Sequence, residues 1–324
     1  MPSVDRTLSI IVIAYNEEQG IERCLRSLLA QQTTVDYEVI VVDDGSSDQT
    51  ANIVRGMSET DPRLRLIIHE TNLGRGAARR TGHDATNSPL VAFIDADIEI
   101  PPNWVDRCVL ELKTCSAVSG LACPDGDCAV IWRIFQPVIR ERRGPAAITG
   151  NNVMYRAEAL RAEPFDAQSR LGEDFRQASR LAARGLVLRT VLELKVTHRE
   201  SRTYLGAIKW MWALGVDAAT HPIELRMFRL PDLTWIVWFG FTLAAVLAAS
   251  VGAVPWWAVP ACFGSTTLVV DLAYIYSRFH LWPKSIRWVG AAIANVPLMA
   301  TYLVGRTWGL IIFAFPQRRL KLGL

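Results

Sequence analysis

The sequence predicts an α/β domain built on parallel βαβ units, followed by an interfacial helix and transmembrane helices. Apolar runs at Leu8–Ala14, Glu38–Val42, Leu64–Ile68 and Val91–Ile94 recur with helical-period segments between them, the pattern of strands joined by crossover helices. Each of three runs ends in a polar loop, Tyr15-Asn16-Glu17-Glu18, Asp43-Asp44-Gly45-Ser46-Ser47-Asp48 and Asp95-Ala96-Asp97, so these loops should meet at one edge of the sheet. The charge then vanishes: from Pro231 onward there are seven basic and two acidic residues, against 28 and 30 before it. The first part is thus nearly neutral within a 324-residue chain of net charge +3, which excludes a basic nucleic-acid stripe.

In chain order, LSIIVIA is the first strand, and Ile21, Leu25, Leu28 and Leu29 stand at helical spacing after it. The second strand runs into a turn that Gly45 permits and that Ser46 or Ser47 can close as the cap of the next helix. After the third run, Gly74-Arg75-Gly76 reads as a cationic loop ahead of a helix containing Arg79 and Arg80, a diphosphate contact through backbone N–H groups and guanidinium. For Arg80 a solvated helix face explains the residue equally well. Neither a P-loop nor a G-x-G-x-x-G fingerprint occurs. Asp95 and Asp97 stand where the fourth strand reaches the rim, and hard oxygen ligands there suit Mg²⁺ or Mn²⁺ bridging to phosphate; the alternative is a solvated turn.

Further on, Thr149-Gly150-Asn151-Asn152 precedes a short strand, and paired amides beside a glycine can hydrogen-bond sugar hydroxyls or simply close a turn. Glu173 and Asp174 open a helix with Phe175, Ala178 and Leu181 on one face, and the helix amino terminus favours an ionised carboxylate. His198 follows the strand Leu194–Thr197 as a metal ligand or a surface residue. The six cysteines contain no C-x-x-C, and Cys123 and Cys128 flank a turn as ordinary thiols. No secretory signal precedes the first strand, which places the first domain in the cytoplasm as an expectation.

The strings SIIVIAYNE, VVDDGSSD, NLGRGAARRTG, FIDAD, GNNVMYRAEAL and GEDFRQASRLAARG, in this order, resemble glycosyltransferase family 2 over residues 7–200. The resemblance implies a GT-A nucleotide-diphospho-sugar transferase fold with a Rossmann-like mixed sheet. It also implies inverting transfer from a nucleoside-diphosphate sugar to a hydroxyl acceptor, with Mn²⁺ or Mg²⁺ as cofactor. By resemblance Tyr15, Glu17, Asp44, Gly74, Arg79, Asp95 and Asp97 bind the donor, and Asp97 and His198 the metal. Gly150, Asn151, Asn152 and Glu173 bind the acceptor, and Asp174 is the base. The sequence departs from the family at Arg80, where Asn is frequent, and at Arg176, where an acidic residue is common.

From Arg199 the composition turns to tryptophan, and nine of the eleven lie from Trp210 onward. Residues 201–230 read as a basic, aromatic helix at a membrane interface, after a catalytic domain of residues 1–200. Gly206 and Lys209 replace the Gln and Arg of the Q-x-x-R-W motif found in processive members of the family, so processivity is not inferred. Leu233–Val254 carries no charge over 22 residues. Pro255–Ser277 is interrupted by Asp271, and Trp288–Phe315 contains Pro297, Gly305 and Arg306, so a bend or re-entry is expected near its carboxyl end. A multi-pass membrane protein with a cytoplasmic catalytic domain follows, although Arg318, Arg319 and Lys321 argue for a tail on that same side. Two rivals stay open: transfer to a polyprenyl phosphate, whose anionic acceptor has little need of a base, and a non-enzymatic nucleotide-binding membrane module.

Overall fold

The structure is a computed structural model that describes residues 6–125, 142–144, 148–169, 172–199, 203–219, 230–277 and 287–314. Cys128, the basic loop 278–286 and the basic tail lie outside these residues. Among the described residues, those up to 199 form one compact unit and those from 203 a second.

The first unit begins with β1 (Leu8–Ala14), α1 (Ile21–Leu29), β2 (Tyr37–Asp43), α2 (Thr50–Ser58), β3 (Leu64–Ile68), α3 (Arg75–Asp84) and β4 (Leu90–Asp95). β5 (Ile98–Glu99), α4 (Trp104–Glu111), β6 (Ala117–Asp125), β7 (Arg142–Arg143), β8 (Asn152–Arg156), α5 (Ala157–Ala162), α6 (Glu173–Ala183) and β9 (Leu188–Arg199) follow. One sheet contains all nine strands in the order β3-β2-β1-β4-β8-β6-β9-β5, with β7 also on β9. The first four are parallel, as the alternation of strands and helices requires, and β8 then runs antiparallel to β4 and β6. The resulting mixed sheet with helices on it is the GT-A fold that the motif order implies.

Each face of β1 feeds its own core, because successive side chains point to opposite faces of a strand. Leu8, Ile10 and Val12 pack with α1, Val54 and Trp104, while Ile11 and Ile13 pack with Phe93, Tyr155, Phe165 and Leu181. A strand covered on both faces reads as an unbroken apolar run, which is why LSIIVIA is legible. Gly82 lies where an added Cβ would come 2.3 Å from Ile11 Cγ2, so α3 rests directly on β1.

Register places the site. Ala14 of β1 stands opposite Asp43 of β2, and Ile13 stands opposite Asp95 of β4, so the three strands deliver their loops to one rim. The stretch Pro89–Ile100 is not a single strand. β4 stops at Asp95, and the chain turns through Ala96 and Asp97 into β5, which pairs with the end of β9.

The second unit consists of α7 (Tyr204–Ala218), α8 (Leu230–Ser250), α9 (Ala258–Ser277) and α10 (Arg287–Ala314). Thr203 caps α7 by accepting from the Gly206 N–H at 3.2 Å. Ala207, Met211, Gly215 and Ala218 bury one face of α7 in the unit. Gly215 approaches the Tyr302 carbonyl of α10, and Gly305 and Gly309 of α10 approach Trp212 and Val216, so glycines let the two backbones close together.

Among the described residues, two helices, Asp232–Ser250 and Asn295–Phe313, are long and apolar enough to cross a membrane, and Ala258–Ala273 is a shorter apolar helix. α10 is continuous from Arg287 to Ala314 with Pro297 inside it. Arg306 is buried in ion pairing with Asp232 of α8, and its guanidinium lies 5.3 Å from the centre of the Trp235 ring. A paired cation can remain inside an apolar helical segment.

Candidate functional site

The loops after β1 and β2 are tied to one another by their own polar groups. Asn16 adopts φ 55°, a left-handed conformation that Asn tolerates, and its Oδ1 accepts the Ser47 N–H at 2.8 Å. The Asn16 N–H donates to Ser46 Oγ at 2.9 Å, and the Glu17 N–H donates to Thr50 Oγ1 at 2.8 Å. Between these anchors Tyr15 is 48% exposed and presents its ring at the rim.

Asp44 fastens a third loop. Its Oδ1 accepts from Leu73 N at 2.9 Å and stands 2.7 Å from His69 Nδ1, while its Oδ2 accepts from Gly74 N at 2.8 Å. His69 Nε2 reaches Thr81 Oγ1 at 3.0 Å, so a side chain that the motifs do not mark locks the loop from below. Gly74 sits at φ 97°, a conformation open to glycine.

This corrects the reading of Gly74-Arg75-Gly76 as a phosphate cradle, since both glycine N–H groups are already used. Gly74 donates to Asp44, and Gly76 donates to the Ser169 carbonyl at 3.0 Å. A Cβ on Gly76 would come 2.1 Å from the Asp166 carbonyl oxygen, so this glycine serves close packing. Arg80 takes its solvated alternative and pairs with Asp84 one turn on at 2.8 Å.

Asp97 and His198, both expected at the metal, are adjacent: Asp97 Oδ2 lies 2.8 Å from His198 Nε2. The pairing of β5 with β9 brings this about, and the Arg199 N–H bonds the Asp97 carbonyl at 2.9 Å. Gly20 opens α1 beside them, where a Cβ would lie 3.5 Å from both the Glu17 Oε2 and the Asp97 Cα. The buried Cys24 thiol is pushed well above its ordinary value by burial and then by the charges of Asp97, Asp95 and Glu17, so it stays neutral. No group of three or more His, Cys, Asp or Glu side chains arranged to hold a metal occurs among the described residues.

Arg79 is the correction of most consequence. It is 1% exposed and does not extend toward a ligand from a helix surface. Its Nη2 donates to Asp95 Oδ1 at 3.1 Å, its Nη1 pairs with Glu173, and its guanidinium lies 5.7 Å from the centre of the Phe165 ring. Burial lowers its pKa, and the charges of Asp95 and Asp174 oppose that shift. A guanidinium so placed keeps its proton.

Around Arg79 the acceptor-side motifs converge. Gly172, at φ 64°, turns the chain into α6, whose first residues are Glu173 and Asp174. Asp174 Oδ2 accepts from Gly150 N at 2.8 Å, and its Oδ1 accepts from Phe175 N at 2.7 Å. Gly150 is needed there, because a Cβ would lie 2.6 Å from Arg79 Nη2 and 3.0 Å from the Asp174 Cβ. Asn151 follows with its Oδ1 buried.

Two residues assigned to the acceptor are withdrawn from it. Asn152 is fully buried, accepting from Trp104 Nε1 at 2.9 Å and donating to the Leu194 carbonyl at 3.1 Å. Glu173 is buried against Arg79. The sequence could not have separated Asn151 from Asn152, because only the start of β8 decides which amide turns inward.

Known proteins resemble this chain in sequence and in fold. Residues 9–159 match the family described as glycosyl transferase family 2. This segment is a family 2 glycosyltransferase domain. The family 2 domain is 36% identical over 101 residues to glycosyltransferase AglE of Haloferax volcanii, a match covering 31% of this chain and 33% of that protein. It is 34% identical over 107 residues to an undecaprenyl-phosphate 4-deoxy-4-formamido-L-arabinose transferase of Photorhabdus laumondii, covering 32% of this chain and 33% of that protein. The matched stretches thus span about a third of these curated relatives. Among solved structures, the mannosyltransferase PcManGT from Pyrobaculum calidifontis, in complex with GDP-Man and Mn²⁺, superposes with a TM-score of 0.62. That match has 21% identity and covers 94% of this chain and 87% of PcManGT, a likeness of fold.

Proposed function

We propose that the chain is an inverting glycosyltransferase that moves a sugar from a nucleoside-diphosphate sugar to a hydroxyl acceptor, glycan or lipid-linked, at the cytoplasmic face of a membrane. One observation carries the proposal. An unbroken set of contacts runs from Asp95 through Arg79 to Glu173, next to Asp174, and so joins the carboxylates after β4 to a carboxylate at the start of α6. In this reading Tyr15, Glu17 and Asp44 surround the nucleoside, while Asp95 and Asp97 face the ribose and diphosphate. Asp174 takes the proton of the attacking hydroxyl, with Gly150 and Asn151 beside it.

The donor set at Asp97 and His198 suits a divalent cation, with one carboxylate oxygen and one imidazole nitrogen already side by side. Two protein ligands leave room for diphosphate oxygens, the usual arrangement for Mg²⁺ or Mn²⁺ at phosphate. A bound cation would neutralise charge developing on the departing diphosphate. Asp97 and His198 would hold it, and the neutral thiol of Cys24 would take no part. Asp174, fixed by two N–H donors, is held ready as a carboxylate aimed from a helix amino terminus.

The apolar helices Asp232–Ser250 and Asn295–Phe313 supply the membrane anchor in this reading, with residues 1–200 as the catalytic domain and the remainder as anchor. A second reading, transfer to a polyprenyl phosphate, is favoured by the relative named for undecaprenyl phosphate. The two differ at Asp174, since an acceptor that is already anionic needs no base.

The test is consumption of UDP-, GDP- and dTDP-sugars by membranes carrying the full chain. One donor should be consumed, activity should vanish with EDTA, and it should return with Mn²⁺ or Mg²⁺. Failure to consume any of them would overturn the proposal. Transfer surviving in Asp174→Asn would favour the polyprenyl phosphate reading.

A further inference from the structure

The proposed donor and acceptor residues lie on separate elements, β4 and α6, and a transferase must hold the two in register to within a fraction of an ångström. The side chain that joins them is Arg79, which belongs to neither element. It projects from α3 with one nitrogen on Asp95 and the other on Glu173, the residue before Asp174. Three independent features fix it. The ring of Phe165 lies beside the guanidinium, Gly150 leaves the space that the guanidinium fills, and α3 is seated by Gly82 on β1 and by Gly76 on the 166–169 segment. Burying a guanidinium with two carboxylates is costly for stability compared with apolar packing, so the arrangement calls for a functional explanation.

We infer that Arg79 and Glu173 are positioning residues for sugar transfer. They act through Asp95 and Asp174, touch neither substrate, and set the distance between donor and base. This inference rests on the proposed function and assigns its geometry to a specific contact. The planar fork of Arg suits it, because two carboxylates on different elements are met by two nitrogens of one rigid group. Lys, a single point charge, satisfies one of them. Glu173→Gln keeps shape and a hydrogen-bond acceptor while removing the charge that orients the fork.

The experiment measures donor consumption and nucleotide binding in full-length protein in membranes, with UDP-glucose, UDP-GlcNAc, GDP-mannose and dTDP-rhamnose as probes. Wild type, Arg79→Lys, Glu173→Gln and the double variant are compared with Asp97→Asn and Asp174→Asn. On the best donor, each single positioning variant should lose ten- to a hundredfold in kcat, with KM and nucleoside-diphosphate affinity within about threefold of wild type. The double variant should be no slower than the slower single variant, because both remove one contact. Gly150→Ala, which crowds the guanidinium without changing charge, should fall in the same range and serves if Arg79→Lys does not fold.

Losses that multiply in the double variant, nucleotide affinity that falls with kcat, or wild-type kcat in Glu173→Gln and Gly150→Ala would each overturn the positioning role. If Asp97→Asn and Asp174→Asn are inactive while Glu173→Gln is not, the proposed function stands and this inference alone fails. If those two aspartate variants keep wild-type rates, or the wild-type chain consumes none of the four donors, the functional reading fails and takes the inference with it.

Discussion

Among the described residues an arginine is buried against a carboxylate twice, once in each unit. Arg79 meets Glu173 in the first unit, and Arg306 meets Asp232 between α8 and α10, with all four side chains nearly inaccessible. The chemistry is the same and the surroundings differ. Arg79 has a second carboxylate, Asp95, and lies within electrostatic reach of Asp174, the proposed base. Arg306 has the Trp235 ring beside it and the Tyr302 hydroxyl 3.4 Å from its Nη1. The first pair connects two helices beside the proposed donor and base residues, and the second holds two apolar helices together. A buried ion pair is therefore not evidence of function by itself, and what its partners do next distinguishes the two.

That contrast can be broken deliberately. The largest expected effect is Asp174→Asn, which removes the proposed base and should lower turnover by roughly a hundred- to ten-thousandfold, with donor binding nearly unchanged in calorimetry. Next comes Arg306→Met. Removing one member of a buried pair leaves the other charge uncompensated and typically costs about 3–5 kcal/mol, so thermal unfolding in detergent should move down sharply. The double replacement Asp232→Leu with Arg306→Met should recover most of that loss, because no charge is left buried. Turnover per folded molecule should stay at the wild-type level throughout. Equal loss of turnover per folded molecule at Arg306 and at Arg79 would erase the distinction between the two pairs.

Gly76→Ala should follow, since its Cβ meets two carbonyl oxygens of the 166–169 segment and overpacking of this kind costs about 1–3 kcal/mol. The smallest effect is expected at Asp61, whose pKa is lowered chiefly by hydrogen bonding to Arg63. A carboxylate with a lowered folded-state pKa contributes stability above its unfolded value and loses it as the pH falls through the folded one. Asp61→Asn should therefore cost within about 1 kcal/mol near neutral pH, and urea melts should show the gap closing in acid.

The fold was legible wherever burial was two-sided. β1, β2 and β4 are covered on both faces and read as apolar runs, and their parallel order followed from the helices between them. The candidate site was legible as groups of neighbouring residues and less so as directions. Asp97 meets His198, and Asp95 and Asp174 share Arg79 as a neighbour, but the sequence pointed Arg79, Asn152 and Glu173 at ligands while the structure turns all three inward. Charge and amide content cannot report which way a side chain faces when both faces are available. His69 was missed because a histidine at a strand end has no periodic signal, and the match between Asp232 and Arg306, 74 residues apart, is invisible until the helices pack.

Asp97 is the residue on which the account turns, and nucleotide-sugar binding by Asp97→Ala tests it most directly. Titration of the preferred donor into full-length protein with Mn²⁺ should give tight binding for wild type. It should give weak binding for Asp97→Ala even at high metal, with sugar transfer abolished. The variant's melting temperature should stay near wild type, since a rim carboxylate contributes little to the core. A folded Asp97→Ala protein that bound donor as wild type does, and transferred sugar with undiminished metal dependence, would contradict the assignment of this rim as the donor site.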